Sequence, residues 1–290
     1  MKLAILGPLN RGYEEIRLMK EGKKVFNSVS YFPIPQVTVE ISEKGLELKY
    51  KRVSLKDFDC VLPRIPRTYK TFGYTLLTLL KEEGIPIPIE PISVFTSHNK
   101  FLTLLVLKEH NLPVPKTFLA LDRNVLEPYL DELKYPVVLK LLYGSLGKGV
   151  VFADSKQSAL SMMDALERFK EPIFVEEFIK ANAEDIRVYI VGYEVAGSMK
   201  RIAKEGERRS NIGIGGTGVK YEAKGKIAEM AIKAAMAMGM EICGIDIMEG
   251  PKGPVIIETN VNAQFHGLEK ATGINVAKKI INYMKEKVKR

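Results

Sequence analysis

The chain has 290 residues, enough for two or three domains at roughly 100–200 residues each, and 46% apolar with 27% charged residues is ordinary for a globular protein. Two cysteines far apart, Cys60 and Cys243, exclude a disulfide framework and a paired-cysteine zinc site, and both read as small buried apolar residues. The formal charge of +9 is spread along the chain, with local density only at Lys285–Arg290, a solvated helix end; it admits nucleic acid, an acidic partner or a charged small substrate.

Met1–Leu6 reads as a buried strand ended by Gly7-Pro8, and a polar amphipathic helix is expected near residues 12–22. The apolar start is too short for a signal peptide core, and no stretch approaches the roughly 18–20 residues of a membrane span. A soluble protein in the cytoplasm, with no membrane, is therefore expected. Gln36–Glu40 and Leu46–Tyr50 alternate as strands, and Asp59–Leu62 is a short apolar strand. Thr71–Glu83 reads as a helix. Residues 1–95 thus form a small α/β unit, whose first 58 residues carry no readable motif.

Ser97 is expected to cap a helix running to His110, which Leu112-Pro113-Val114-Pro115 stops. Strands are expected at Thr117–Leu121, Pro136–Lys140, Val150–Phe152 and Pro172–Glu176, with a helix at Ser155–Phe169. Residues 96–182 then form a central unit and 183–290 a C-terminal one. Asp185–Val191 and Glu194–Arg201 pair around Gly192-Tyr193, and a glycine-rich loop spans Ile212–Gly218. Lys224–Met238 is a helix whose Met230, Met236 and Met238 read as core packing. Ile242–Met248 and Val255–Glu258 are closing buried strands, and Val276–Lys289 is a terminal helix. No internal repeat or low-complexity segment is visible.

Four places could carry chemistry. Lys140 ends a buried strand before a glycine-rich turn containing Gly144, Ser145 and Gly147. Such a turn lets backbone N–H groups approach a phosphate, and the lysine adds a point charge; the alternative is a hairpin with no ligand. The spacing is not that of a Walker loop. Glu176-Glu177-Phe178-Ile179 could present backbone amides and a carboxylate to an adenine between apolar walls, or be an ordinary strand end. Asp246, Glu258 and Asn260 end two strongly apolar strands as an all-oxygen set, the kind magnesium accepts when it also holds phosphates. Carboxylates at such places are costly unless paired or metal-bound. Lys200-Arg201 and Arg208-Arg209-Ser210-Asn211 precede the glycine loop, which suits a lid closing over phosphate or carboxylate; the alternative is an exposed basic hairpin.

In this order and spacing, these features resemble the ATP-grasp superfamily and, within it, the RimK-like α-L-glutamate ligases. The resemblance runs from Asp59 to Gly273. It includes Pro63-Arg64-Ile65, Lys100, Pro136–Lys140, Glu177–Lys180, Asp185-Ile186-Arg187, Ala203–Gly206 with Arg209–Asn211, Gly244-Ile245-Asp246, and Glu258-x-Asn260 ending in Gly267–Gly273. It implies an α/β (α+β) ATP-grasp fold behind a small pre-ATP-grasp domain. It implies that Lys100 and Lys140 hold ATP phosphates, that Glu177 and Phe178 meet adenine, and that Asp185 meets ribose. Arg209, Ser210 and Asn211 match the family's nucleotide-contacting segment. Asp246, Glu258 and Asn260 would bind two magnesium ions, manganese being the alternative. Arg64, Arg187 and Arg201 are candidates for substrate carboxylates or the transferred phosphate.

The implied reaction joins a carboxylate to an amine through an acylphosphate, with release of ADP. The implied partners are an amino acid, glutamate first, and a carboxylate acceptor, either a coenzyme or a protein C-terminus. Relatives also suggest a homo-oligomer. Ile214 stands where the family's lid carries arginine, and Val261–His266 replaces the usual A-S-P-G-L-E run, which puts substrate identity in question. His266 on that run could deprotonate the amine or be a structural histidine. Two other readings remain: a ligase acting on an amino-group carrier protein, and a basic nucleic-acid-binding module with a degenerate nucleotide site.

Overall fold

A computed structural model describes residues 1–43, 45–142 and 149–289. The chain begins with β1 (Lys2–Gly7), α1 (Tyr13–Gly22), β2 (Ser28–Pro33), β3 (Thr38–Ser42), β4 (Gly45–Tyr50), β5 (Val53–Ser54), β6 (Cys60–Pro63) and α2 (Lys70–Glu82). β1 is a continuous apolar run because it is the middle strand of a parallel sheet ordered β2-β1-β6, covered on both faces. Its edge strand β2 escapes a sequence reading. Ser28 and Ser30 break the apolar pattern, and only Phe32 and Pro33 are buried. β3, β4 and β5 form a separate antiparallel ribbon.

The single helix expected from Ser97 to His110 is two helices, α3 (Ser93–His98) and α4 (Lys100–Glu109). Asn99, not Ser97, caps α4: its side chain accepts from the N–H groups of Phe101 and Leu102, each at 3.1 Å. This break sets Lys100 at the first position of α4.

The central unit holds β7 (Thr117–Ala120), α5 (Arg123–Leu126), β8 (Val137–Lys140), β9 (Val150–Ala153), α6 (Lys156–Arg168) and β10 (Ile173–Glu177). Its antiparallel sheet is ordered β7-β10-β8-β9. Ser155 caps α6 by accepting from Ser158 N at 3.2 Å. The unit has its own core of Leu126, Leu130, Leu139, Met163, Ile173 and Val175.

The C-terminal unit holds β11 (Glu184–Val191), β12 (Glu194–Ile202), β13 (Thr217–Lys220), α7 (Gly225–Ala237), β14 (Ile242–Gly250), β15 (Gly253–Asn260), α8 (His266–Thr272) and α9 (Val276–Lys287). Its five strands run antiparallel in the order β13-β12-β11-β14-β15. Of the methionines expected to pack in the core here, Met230 on α7 and Met238 just after it are buried, whereas Met236 is exposed.

The N-terminal and C-terminal units share apolar cores. Ala4 and Leu6 join Leu76, Leu80, Val188, Ile245 and Ala234 in one cluster. Leu3 and Leu18 join Tyr189, Phe265, Ile280 and Ile281 in another. Each large apolar side chain buried there contributes about 1.5–3 kcal/mol, so these two units are held as one framework. Both cysteines are buried in it. Among the described residues, no helix is long and apolar enough to cross a membrane.

Candidate active site

Cross-strand register assembles the site. Asp246 on β14 faces Glu258 on β15 and Arg187 on β11, and Asp185 on β11 faces Arg201 on β12. A β-bulge follows Asp246, so Ile256 pairs with Ile247 and Ile257 is left without a partner. A bulge re-aims the residue it frees. Here Ile257 becomes part of a cavity wall. Gly244 permits the close packing beside it: a Cβ there would lie 2.8 Å from the Ala263 Cβ and 3.6 Å from Arg187 Nε.

Buried charges at the floor of the site are fully paired. Arg187 grips Asp246 through Nε at 2.7 Å and Nη2 at 2.6 Å. Arg201 grips Asp185 at 2.5 and 2.8 Å and reaches Asp246 at 2.9 Å. The Ser210 hydroxyl donates to Asp185. Burial pushes the Asp246 carboxyl up, but two guanidiniums outweigh it and hold the group well below its ordinary value. Burial raises the Asp185 carboxyl, Arg201 opposes that and Asp246 adds to it, and the balance stays above the ordinary value. Burial favours a neutral Arg201, but Asp246 and Asp185 reverse this, and the guanidinium stays charged.

Two cavities open from this floor. The first lies between the central and C-terminal sheets. It takes in Lys100, Lys140, Glu176, Glu177, Phe178, Ile179, Asp185, Arg201, Arg209, Ser210, Asn211, Asp246 and Glu258, all singled out in the sequence. Its apolar walls are Val138, Val150, Phe152, Phe178, Met248 and Ile257. Phe152 and Phe178 meet edge to face at 5.9 Å, and Arg208 lies over the Phe152 ring. Lys140 pairs with the buried Glu176, whose Oε2 has no hydrogen-bond partner. Glu177 accepts from Lys116 N at 2.9 Å. Arg209 is turned toward Glu207 at 2.6 Å, which holds that carboxyl down at about 2.

The second cavity lies between the N-terminal unit and β15. It is lined by Arg187, Asn260 and His266, together with Arg67, Ser97, His98, Asn262 and Gln264. Lys100, Arg201, Asn211 and Glu258 line both cavities and form their common wall. Across that wall Lys100 Nζ pairs with Glu258 at 2.8 Å.

Arg64 lies in neither of these cavities. It is 4% exposed, bonds Ala263 O at 3.1 Å and pairs with the buried Glu15 at 3.4 Å. Where substrate binding was expected of it, the structure sets it against Glu15 and the backbone of the 261–266 segment. Asp185, expected to meet ribose, is buried and accepts from Arg201 through both oxygens and from Ser210 through Oδ2. Gly144, Ser145 and Gly147 lie outside the described residues.

His266 is exposed at the start of α8 and stacks on Tyr13, with ring centroids 4.1 Å apart. Glu14 accepts from the N–H groups of Phe265 at 3.1 Å and His266 at 3.2 Å. The Tyr13 hydroxyl donates to Glu269 at 2.7 Å, and Arg17 pairs with the same carboxylate at 3.2 Å. The first turn of α1 therefore positions the segment bearing His266. Sequence reasoning missed this set, along with Phe152, Met248 and Arg67, whereas Arg208 was named there as part of the basic stretch before the glycine loop. Met248 was findable, since it shares a strand face with Asp246.

An all-oxygen set of two carboxylates and an amide fits a hard divalent cation. Glu258 spends one oxygen on Lys100 and is still part-exposed; Asn260 bonds Asp246 through its nitrogen at 3.4 Å, which leaves its oxygen free. Among the described residues no cluster reaches three histidine, cysteine or acidic ligands. A metal here would draw its remaining ligands from water and substrate oxygens.

Residues 97–284 match the family described as RimK-like ATP-grasp domain, and residues 1–94 match RimK PreATP-grasp domain. A probable alpha-L-glutamate ligase of Legionella pneumophila is 34% identical over 292 residues, covering all of this chain and 97% of the relative. One of the same description from Cellvibrio japonicus is 33% identical over 291 residues, covering 100% of this chain and 97% of that protein. The fold matches the ATP-grasp ligase PsnB, complexed with a phosphomimetic precursor variant, Mg and ADP, at TM-score 0.78 and 15% identity over 98% of each chain. It matches D-alanine–D-alanine ligase of Bacillus anthracis, complexed with ATP, at TM-score 0.70 and 16% identity over 100% of this chain and 98% of that one.

Proposed function

The chain belongs to the RimK-like ATP-grasp family of ligases, and from that premise we propose that it binds magnesium and ATP in the first cavity and joins a carboxylate to an amine in the second. The single observation that carries this reading is the wall shared by the two cavities. Lys100, Arg201, Asn211 and Glu258 face both, so a phosphate end and a substrate end can meet there without crossing the protein.

Val138, Phe152, Phe178, Met248 and Ile257 form an apolar slot for the adenine ring. The unpartnered Glu176 Oε2 is an acceptor for the exocyclic amine of adenine. Lys140 and Lys100 supply positive charge along the phosphates. Asp246, Glu258 and Asn260 would hold magnesium, which would supply charge to offset that on the transferring phosphoryl group. Asp185 acts on Arg201, fixing it at the shared wall. Arg187 holds Asp246 in place, rather than meeting substrate first.

A substrate carboxylate oxygen attacks the γ-phosphorus, ADP leaves, and an acylphosphate forms. The amine attacks the acyl carbon and inorganic phosphate leaves, carrying the former carboxylate oxygen. His266 stands at the second cavity to take the amine proton, oriented by Tyr13 and Glu14. The relatives' description supports L-glutamate as amine donor, and the acceptor carboxylate of this reading sits on a coenzyme or a peptide end. One or two magnesium ions, cytoplasmic location and a homo-oligomer belong to the same reading.

The test begins with ADP release from magnesium, ATP and L-glutamate against a panel of glutamate-ended peptides, pterin and deazaflavin coenzymes and an amino-group carrier protein. The accepted substrate is then labelled with ¹⁸O in its carboxylate. One labelled oxygen in the released phosphate supports the acylphosphate route. Label retained wholly in the product overturns it. Glu258→Gln is a cleaner control than any Asp246 variant, because Asp246 is 1% exposed and anchors two arginines.

A further inference from the structure

We propose that Arg67 is a specificity-determining residue that holds a second, non-reacting carboxylate of the substrate, so that this enzyme takes dicarboxylic substrates. The proposal rests on the function above and names the substrate class of its second cavity.

Every other arginine or lysine lining that cavity is already committed. Arg187 is spent on Asp246, Arg201 on Asp185 and Asp246, and Lys100 on Glu258. Arg67 is exposed, lines the cavity, and is the one such cation there without an ion pair among the described residues. It sits in the short 3-10 turn Arg67–Tyr69, which follows Pro66 on the N-terminal unit. The metal-ligand candidates come from β14 and β15, so cation and carboxylates stand on different elements around one space. A guanidinium offers a rigid fork that matches a carboxylate in two bonds.

Two buried polar atoms of residues lining the same cavity also lack partners. Ser97 lines the cavity, is 8% exposed, and its hydroxyl makes no hydrogen bond. Asn262 lines the same cavity and its Oδ1 is likewise unsatisfied. Buried polar atoms are normally paired, so such orphans in a cavity wall point to a ligand that completes them. Ser97 can donate to a carboxylate and Asn262 can accept from an N–H. His98, also in the wall, is held below its usual pKa by burial first, with Lys70 and Arg67 adding to the effect. It stays neutral near pH 7 and leaves the charge to Arg67.

One substrate carboxylate then lies at the shared wall, where phosphoryl transfer occurs, and the other lies on Arg67. A chain-terminal glutamyl group has this form. The sequence pointed to Arg64 for the task, but the arginine three residues later carries it.

The probes are glutarate and its monoacid counterpart butyrate, titrated by calorimetry into the protein loaded with magnesium and ADP. In the wild type, glutarate should bind about tenfold tighter than butyrate or more. Arg67→Ala should close that gap, and Arg67→Lys should keep part of it. Magnesium–ATP affinity should stay unchanged in both variants, since Arg67 is absent from the first cavity's wall. Equal binding of the two acids by the wild type, or a gap that survives Arg67→Ala, overturns the proposal while leaving the ligase reading standing. Failure of the wild type to bind magnesium–ATP would instead sink that reading, and this one with it.

Discussion

Arg201→Met removes the cation that two buried carboxylates share. The side chain is 4% exposed and makes contacts of 2.5 and 2.8 Å to Asp185 and 2.9 Å to Asp246. Methionine fills similar space but leaves Asp185 with only the Ser210 hydroxyl. Breaking one partner out of a buried pair costs about 3–5 kcal/mol, because the remaining charge stays desolvated. For a chain of this size that is a fall in Tm on the order of 10 °C. Thermal denaturation near neutral pH measures it. The sign of its pH dependence is fixed. Loss of Arg201 raises the folded-state pKa of Asp185 further above 3.8, so the part of the penalty that acts through Asp185 is full above that raised value and absent below 3.8, while the part through Asp246, whose carboxyl is held well below its ordinary value, persists to lower pH. Arg201→Met/Asp185→Asn should recover much of the loss at neutral pH. A destabilisation under about 1 kcal/mol, or one that grows on acidification, would refute the shared-cation reasoning.

Glu14→Ala deletes the acceptor for two backbone N–H groups at the start of α8 and should cost about 1–3 kcal/mol, with Glu14→Gln recovering most of it in the same denaturation assay. His98 has a folded-state pKa below 6.5, so stability is full above pH 6.5 and falls as pH drops from there to the folded value; His98→Gln should remove that slope between about pH 7.5 and 5.5. The Cys60 thiol is pushed up to about 12 by burial, and burial also raises Cys243, so a disulfide reagent should label neither in the native protein and both after denaturation.

The strands that carry chemistry were legible because they are apolar runs ended by charge. Lys140, Glu176, Asp246 and Glu258 each terminate such a run or lie within it, and burial of a charge advertises itself in sequence. Arg64 and Arg67 show where this stops. Both follow the same strand three residues apart, and only packing decides that Arg64 faces Glu15 and Ala263 while Arg67 faces the cavity. Ile257 enters a cavity wall through a bulge, which no alternation pattern displays. The Tyr13 and Glu14 contacts to His266 span some 250 residues of sequence, beyond any local spacing rule. The cap at Asn99 was ambiguous because Ser97 and Asn99 are both good N-cap residues, and hydrogen-bond geometry alone separates them.

Equilibrium titration of ATP into the protein, with and without magnesium, tests the central claim most directly. One ATP should bind per chain in a magnesium-dependent manner, and Lys140→Met and Glu258→Gln should each weaken it about tenfold or more. Binding that ignores both magnesium and these two substitutions, or no binding at all, would contradict the assignment of the first cavity.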